Sequence, residues 1–166
     1  TQQEQAVKLQ AQLQGDLTTL SKNPNAKASD YAGMMVKYPQ LSEHFKRGWD
    51  TLNGEQQQNK LSTATQVYAA VNNGSIDVAE QLLTEQAAAL RNSGKESEAK
   101  AAETMAQFIK LHPESAKTSV GLLLSSLMGP EKFAETFSKL ETENRAAQEQ
   151  PAKLTALQEE NRRRKA

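Results

Sequence analysis

From one end of the chain to the other, apolar residues recur three and four positions apart, and no stretch alternates as a half-buried strand would. Such spacing gathers side chains on one face of a helix, and Gly or Pro cuts it at intervals. The fold class that follows is all-α: an antiparallel multi-helix stack or irregular solenoid of about eight helices. Short connections make sequential helices antiparallel neighbours. Ala6, Leu9, Leu13, Leu17 and Leu20 form a first stripe, closed by Asn23-Pro24-Asn25. A second helix opens at Ser29 or Asp30 and stops by Tyr38, because Pro39 disfavours helical geometry in the residue before it. Pro39 opens a third, carrying Leu41, Phe45, Trp49 and Leu52 and ended by Asn53-Gly54; Phe45 and Trp49 fall one turn apart, which assigns Trp49 to the core.

Gly54, Gly74 and Gly94 are spaced by twenty residues. They divide the middle of the chain into three segments with stripes of Leu61, Ala64, Tyr68 and Val71; Ile76, Ala79, Leu82, Leu83, Ala87 and Leu90; and Ala99, Ala102, Met105, Ala106 and Ile109. Asn-Gly and Ser-Gly suit the left-handed residue that ends a helix, so Gly74 and Gly94 are expected at positive φ, with the Ser75 hydroxyl capping the next helix. Gly74-x4-Ala79 and Gly94-x4-Ala99 resemble tetratricopeptide turns, although that repeat has a period of about 34 residues. Pro113 ends the third segment. A seventh helix follows from about Ser115 to Met128, Gly129-Pro130 stops and restarts the chain, and an eighth helix bears Phe133, Phe137 and Leu140. Beyond Glu141 the stripe thins. The chain therefore divides into a helical domain, 1–140, and a more polar helical extension, 141–166, with a basic end.

Lysines and arginines number 20, as do aspartates and glutamates, so the whole-chain field favours neither nucleic acid nor an anionic membrane. With 5% aromatic residues and no cysteine, the helices are expected to pack closely over a thin core, without disulfides or thiolate chemistry. The opening TQQEQAVKLQAQLQ is too polar for a secretory signal. A chain beginning at Thr1 reads as a processed product or the ordered part of a longer protein. No residue is assigned a catalytic or metal-binding role, and no cofactor is expected. His44 and His112 lie outside any ligand array, with His112 at a helix end, and Glu80, Glu85, Glu96 and Glu103 fall on solvated faces.

Two features stand apart. Thr118 to Met128 is uncharged, with Gly121, Ser119, Ser125 and Ser126 opposite Leu123 and Leu127. Small residues permit close helix contact on two sides. The run is either the central helix of the bundle or a surface that a second subunit, a partner or a lipid interface covers, formed by Val120, Leu123, Leu124 and Leu127. The terminal Arg162, Arg163, Arg164 and Lys165 are candidates for phosphate or anionic-lipid contact.

YPQLSEHFKRGWDTLN, QVYAAVNNGSIDVAEQLLTEQAAALRNSGKESEAKAAETMAQFIK and KTSVGLLLSSLMGPEKFAETFSKL together resemble the helical segment of internal virion proteins of tailed, mainly short-tailed, bacteriophages, the DNA-ejection or DNA-transfer proteins. The likeness runs from about Val7 to Leu140 and rests on a pattern of helices; it carries no catalytic residue. It implies a non-enzymatic structural protein stored in the virion interior, ejected with the genome, and located afterwards in the host cell envelope. It further implies a homo-oligomer, sister ejection, portal or tail proteins as partners, transient envelope association and non-specific DNA contact. The competing function is a helical-repeat adaptor that binds a partner protein or peptide in a groove, suggested by the Gly74 and Gly94 turns; an enzyme fragment is the third.

Overall fold

The computed structural model describes residues 1–146, all of whose regular structure is helical. Seven α-helices are bounded as α1 (Gln2–Lys22), α2 (Ala28–Lys37), α3 (Pro39–Lys46), α4 (Gly54–Asn72), α5 (Ile76–Asn92), α6 (Glu96–Leu111) and α7 (Pro113–Met128). A further helix, α8, is described over 130–146. It crosses residue 140 without a break.

The turns follow local chemistry. Gly74 and Gly94 adopt φ of 79° and 78°. In each, the glycine N–H reaches back three residues, Gly74 to Val71 O and Gly94 to Arg91 O at 3.0 Å, while the next N–H reaches back five, Ser75 to Ala70 O and Lys95 to Leu90 O at 2.8 Å. This paired pattern satisfies carbonyls that a helix end leaves free and directs the chain back antiparallel. It also overrides the expected Ser75 cap. Ser75 is held at φ −90°, ψ 68° and makes no side-chain cap bond, outside the extended conformation from which an N-cap hydroxyl reaches the second or third N–H. Gly54 differs from its two counterparts: it is the first residue of α4, behind an Asn53 cap whose Oδ1 accepts from the Gln56 N–H at 2.9 Å while Gln56 Oε1 accepts from the Asn53 N–H at 3.0 Å. The twenty-residue interval thus joins a helix start to two helix ends and is not a structural repeat.

The third helix is shorter than expected. It stops at Lys46, Gly48 turns left-handed at φ 79°, and Trp49–Thr51 form a single 3-10 turn. Trp49 consequently leaves the register of Phe45 and is half-buried rather than in the core. On the side of Gly48 where a Cβ would project lies Glu98 Oε1, the end of a flexible side chain that can move aside, so it is φ that calls for glycine at this corner.

α4, α5 and α6 form an antiparallel run in which α5 packs most extensively against α6, through Ala79, Leu83 and Ala87 on one side and Ala99, Ala102, Ala106 and Ile109 on the other. Alanines at these positions allow close approach, as the composition suggests. α7 is the hub, touching α1, α2, α3, α4 and α6. α8 closes the bundle with Phe133, whose ring meets Tyr31 edge-on at 5.6 Å, and Phe137, 5.8 Å from Tyr31 and 6.2 Å from Tyr68. Edge-on aromatic contacts of this kind add about 0.5–1.5 kcal/mol beyond the area they bury.

Candidate interaction surfaces

Of the four residues expected to form a contact surface on α7, Val120 and Leu124 are 1% and 0% exposed, while Leu123 and Leu127 are half-buried. The expected face therefore does not exist as one surface: helices on several sides cover Val120 and Leu124, and Leu122, absent from that stripe, is equally enclosed at 2%. The central-helix alternative describes this segment. Its small residues serve the same packing. Tyr31 lies over Gly121, where an added Cβ would stand 2.5 Å from ring carbon Cε1. Ser126 satisfies its buried hydroxyl by donating to Leu122 O at 2.9 Å, and the Ser21 hydroxyl donates to Thr118 Oγ1 at 3.0 Å, fastening α1 to α7. Arg162, Arg163, Arg164 and Lys165 lie outside the described residues.

Two polar clasps join one helix to another. Asp16 on α1 accepts from Lys37 Nζ at 2.8 Å and from the Tyr38 hydroxyl. These two donors, the lysine foremost, hold its carboxyl below the usual aspartate value, and burial together with the Asp16 bond pushes the Tyr38 phenol up. On α8, Glu141 Oε1 gathers the Tyr68 hydroxyl at 3.3 Å, Asn72 Nδ2 at 3.1 Å and Lys117 Nζ at 3.2 Å. Burial pushes the Tyr31 phenol up to about 12 and raises Tyr68 as well. Neither clasp was visible in the sequence, because only the packing of the helices that carry its members brings them together.

The described surface offers one unfinished apolar stripe and one polar groove. Along α1, Leu13 and Leu20 are buried and Leu17 half-buried against the body, but Ala6 and Leu9 of the same stripe lie exposed, Leu9 at 45%. Between α4 and α5 runs an open groove of about 450 Å³ whose lining includes Gln56, Asn59, Lys60, Gln66, Glu85 and Gln86. Such a lining presents amide donors and acceptors rather than a charge of one sign. Among the described residues no three His, Asp or Glu side chains gather as a metal site, and no helix is long and apolar enough to cross a membrane. Comparison with known protein families, with curated proteins and with solved structures finds no match to this chain.

Proposed function

We propose that the chain is a structural virion protein of the DNA-ejection type, which associates with copies of itself and with sister ejection proteins to form a conduit for genome delivery across the host envelope. The observation that carries the self-association is the stripe on α1: its second half is packed into the body, while its first half presents Ala6 and Leu9 to solvent. A helix face that continues past its own core is completed when a second helix covers it. The wider reading rests on the resemblance of the helical segments from Val7 to Leu140. Closely packed alanine-rich helices without a covalent cross-link suit a chain that must pass a narrow tail and refold.

Solution mass tests the proposal directly. The full chain is expected to form a multimer, and Leu9→Glu, at an exposed position, to dissociate it without loss of helicity. A single Leu9→Cys, in a chain with no other cysteine, is then expected to cross-link copies on mild oxidation. A chain that stays monomeric at every concentration, and is absent from purified virions by mass spectrometry, overturns the reading. The groove between α4 and α5 favours a second one, a helical adaptor that takes an extended segment by amide hydrogen bonds. A stable monomer that binds a peptide through Gln66 and Gln86 would identify it.

A further inference from the structure

Where the end of α3, the Arg47-Gly48 corner, α4 and the first turns of α6 meet, the surface opens into a second hollow of about 290 Å³. His44, Arg47, Lys60 and Lys100 line it, with one carboxylate, Glu98. The Thr51 hydroxyl, whose single proton is shared with Gly48 O, lies 3.0 Å from Glu98 Oε1, and Lys95 Nζ donates to Thr51 O at 2.9 Å. The corner is thereby tied twice to α6, which fixes the walls of the hollow. Arg47, Lys60 and Lys100 form no ion pair among the described residues. Lys60 is the telling member. It is half-buried, and burial draws its pKa below the ordinary lysine value, with Glu98 opposing. An ammonium partly withdrawn from water with no carboxylate in ion-pair contact is unfavourable, and a net charge of zero over the chain makes this concentration of three cations against one carboxylate a local property.

We propose that this hollow binds an oxyanion of the phosphate class, with Arg47 and Lys60 as its principal donors and Lys100 at its exposed rim. Arg47 offers a planar fork that spans two oxygens, and Lys60, from α4, a point charge. A bound anion adds to the counter-charge that Glu98 alone provides among three cations. The phosphate can be a free ion or one link of a nucleic-acid backbone. The inference stands apart from the assembly reading, since neither α1 nor its stripe contributes to the hollow.

The test uses the full chain at constant ionic strength. Inorganic phosphate is expected to raise the thermal midpoint of the wild type and of a control, Lys139→Gln on α8, by linkage to binding. Lys60→Gln and the exposed Arg47→Gln, each checked for unchanged circular dichroism, are expected to lose that rise. A fluorescent single-stranded oligonucleotide separates the two sources. If the backbone is the ligand, each site variant lowers the slope of log affinity against log salt by about 1 while the control does not; if phosphate binds and the oligonucleotide does not, the ligand is a free anion. The proposal is overturned if neither probe binds, or if the control loses binding as much as the site variants.

Discussion

The ring of Tyr31 occupies the space in which any side chain at Gly121 would have to stand, with Cε1 2.5 Å from the position of an added Cβ. Tyr31 is 1% exposed and packs against Phe133 and Phe137, so it has nowhere to swing. Gly121→Ala gains about 1 kcal/mol of helix propensity, but overpacking costs about 1–3 kcal/mol. A net loss, read as a lower denaturant midpoint, is expected. Tyr31→Leu in the same chain should recover part of it, giving a non-zero coupling in a double-mutant cycle. Additive effects would show that the two residues are not in contact.

The glycines twenty residues apart should separate by sign. Gly74 and Gly94 have open space around them and positive φ, so Gly→Ala at either meets only backbone strain, about 1–2 kcal/mol. Gly54 is also open, but it sits in the first turn of α4 without positive φ, where alanine should stabilise by about 0.4–1 kcal/mol. Thermal midpoints of the three single variants decide this, and a common sign would contradict it.

On α7, substitutions at neighbouring leucines should diverge. Leu124 is fully enclosed, so Leu124→Ala is expected to cost about 2–5 kcal/mol, and Leu124→Asp, which strands a charge in the core, to abolish cooperative unfolding. Leu123→Asp can turn its carboxylate toward solvent and should leave a folded, less stable chain. Near-ultraviolet and far-ultraviolet circular dichroism on both would detect the difference; equal damage would mean that Leu123 is as enclosed as its neighbour.

Alkaline titration should be cooperative. The chain has three tyrosines, and Tyr31, Tyr38 and Tyr68 all have raised phenol values, with burial the leading cause in each. A raised value in the folded state means that the stability these groups contribute is whole below the ordinary 10.0. It is lost as pH rises above that toward the folded-state values, about 12 for Tyr31. Absorbance at the tyrosinate band should therefore stay low at the pH where free tyrosine is half ionised and rise together with loss of helicity. A simple three-proton titration with the helices intact would contradict the burial of these rings.

How much of this was legible depended on whether the cause was local. Gly74 and Gly94 could be read because a helix-ending glycine states its conformation in two or three residues, and the alanine faces of α5 and α6 because each helix is covered on one side only. The break at Gly48 could not, since the carboxylate that lies against it comes from Glu98, on another helix. Periodicity misled on α7 for a physical reason: a helix covered on several sides has no single apolar face, so Leu122 and Ser126 are enclosed beside Val120 and Leu124. Arg47, Lys60 and Lys100 share no spacing at all, and only packing makes them neighbours.

The hub position of α7 also sets an order of events during synthesis. α1, α2 and α3 all rest on α7, yet they leave the ribosome ahead of residues 47–112, which must follow before α7 emerges, an interval of several seconds at roughly 5–20 residues per second. Throughout it Tyr31, Met34 and Leu20 have no α7 to rest on. α4, α5 and α6, joined by short turns and packed on their sequence neighbours, can zip up as they emerge. Among these helices the run α4–α6 can thus form before α1, α2 and α3 have their support, and those three are the part most in need of a chaperone's cover until α7 arrives.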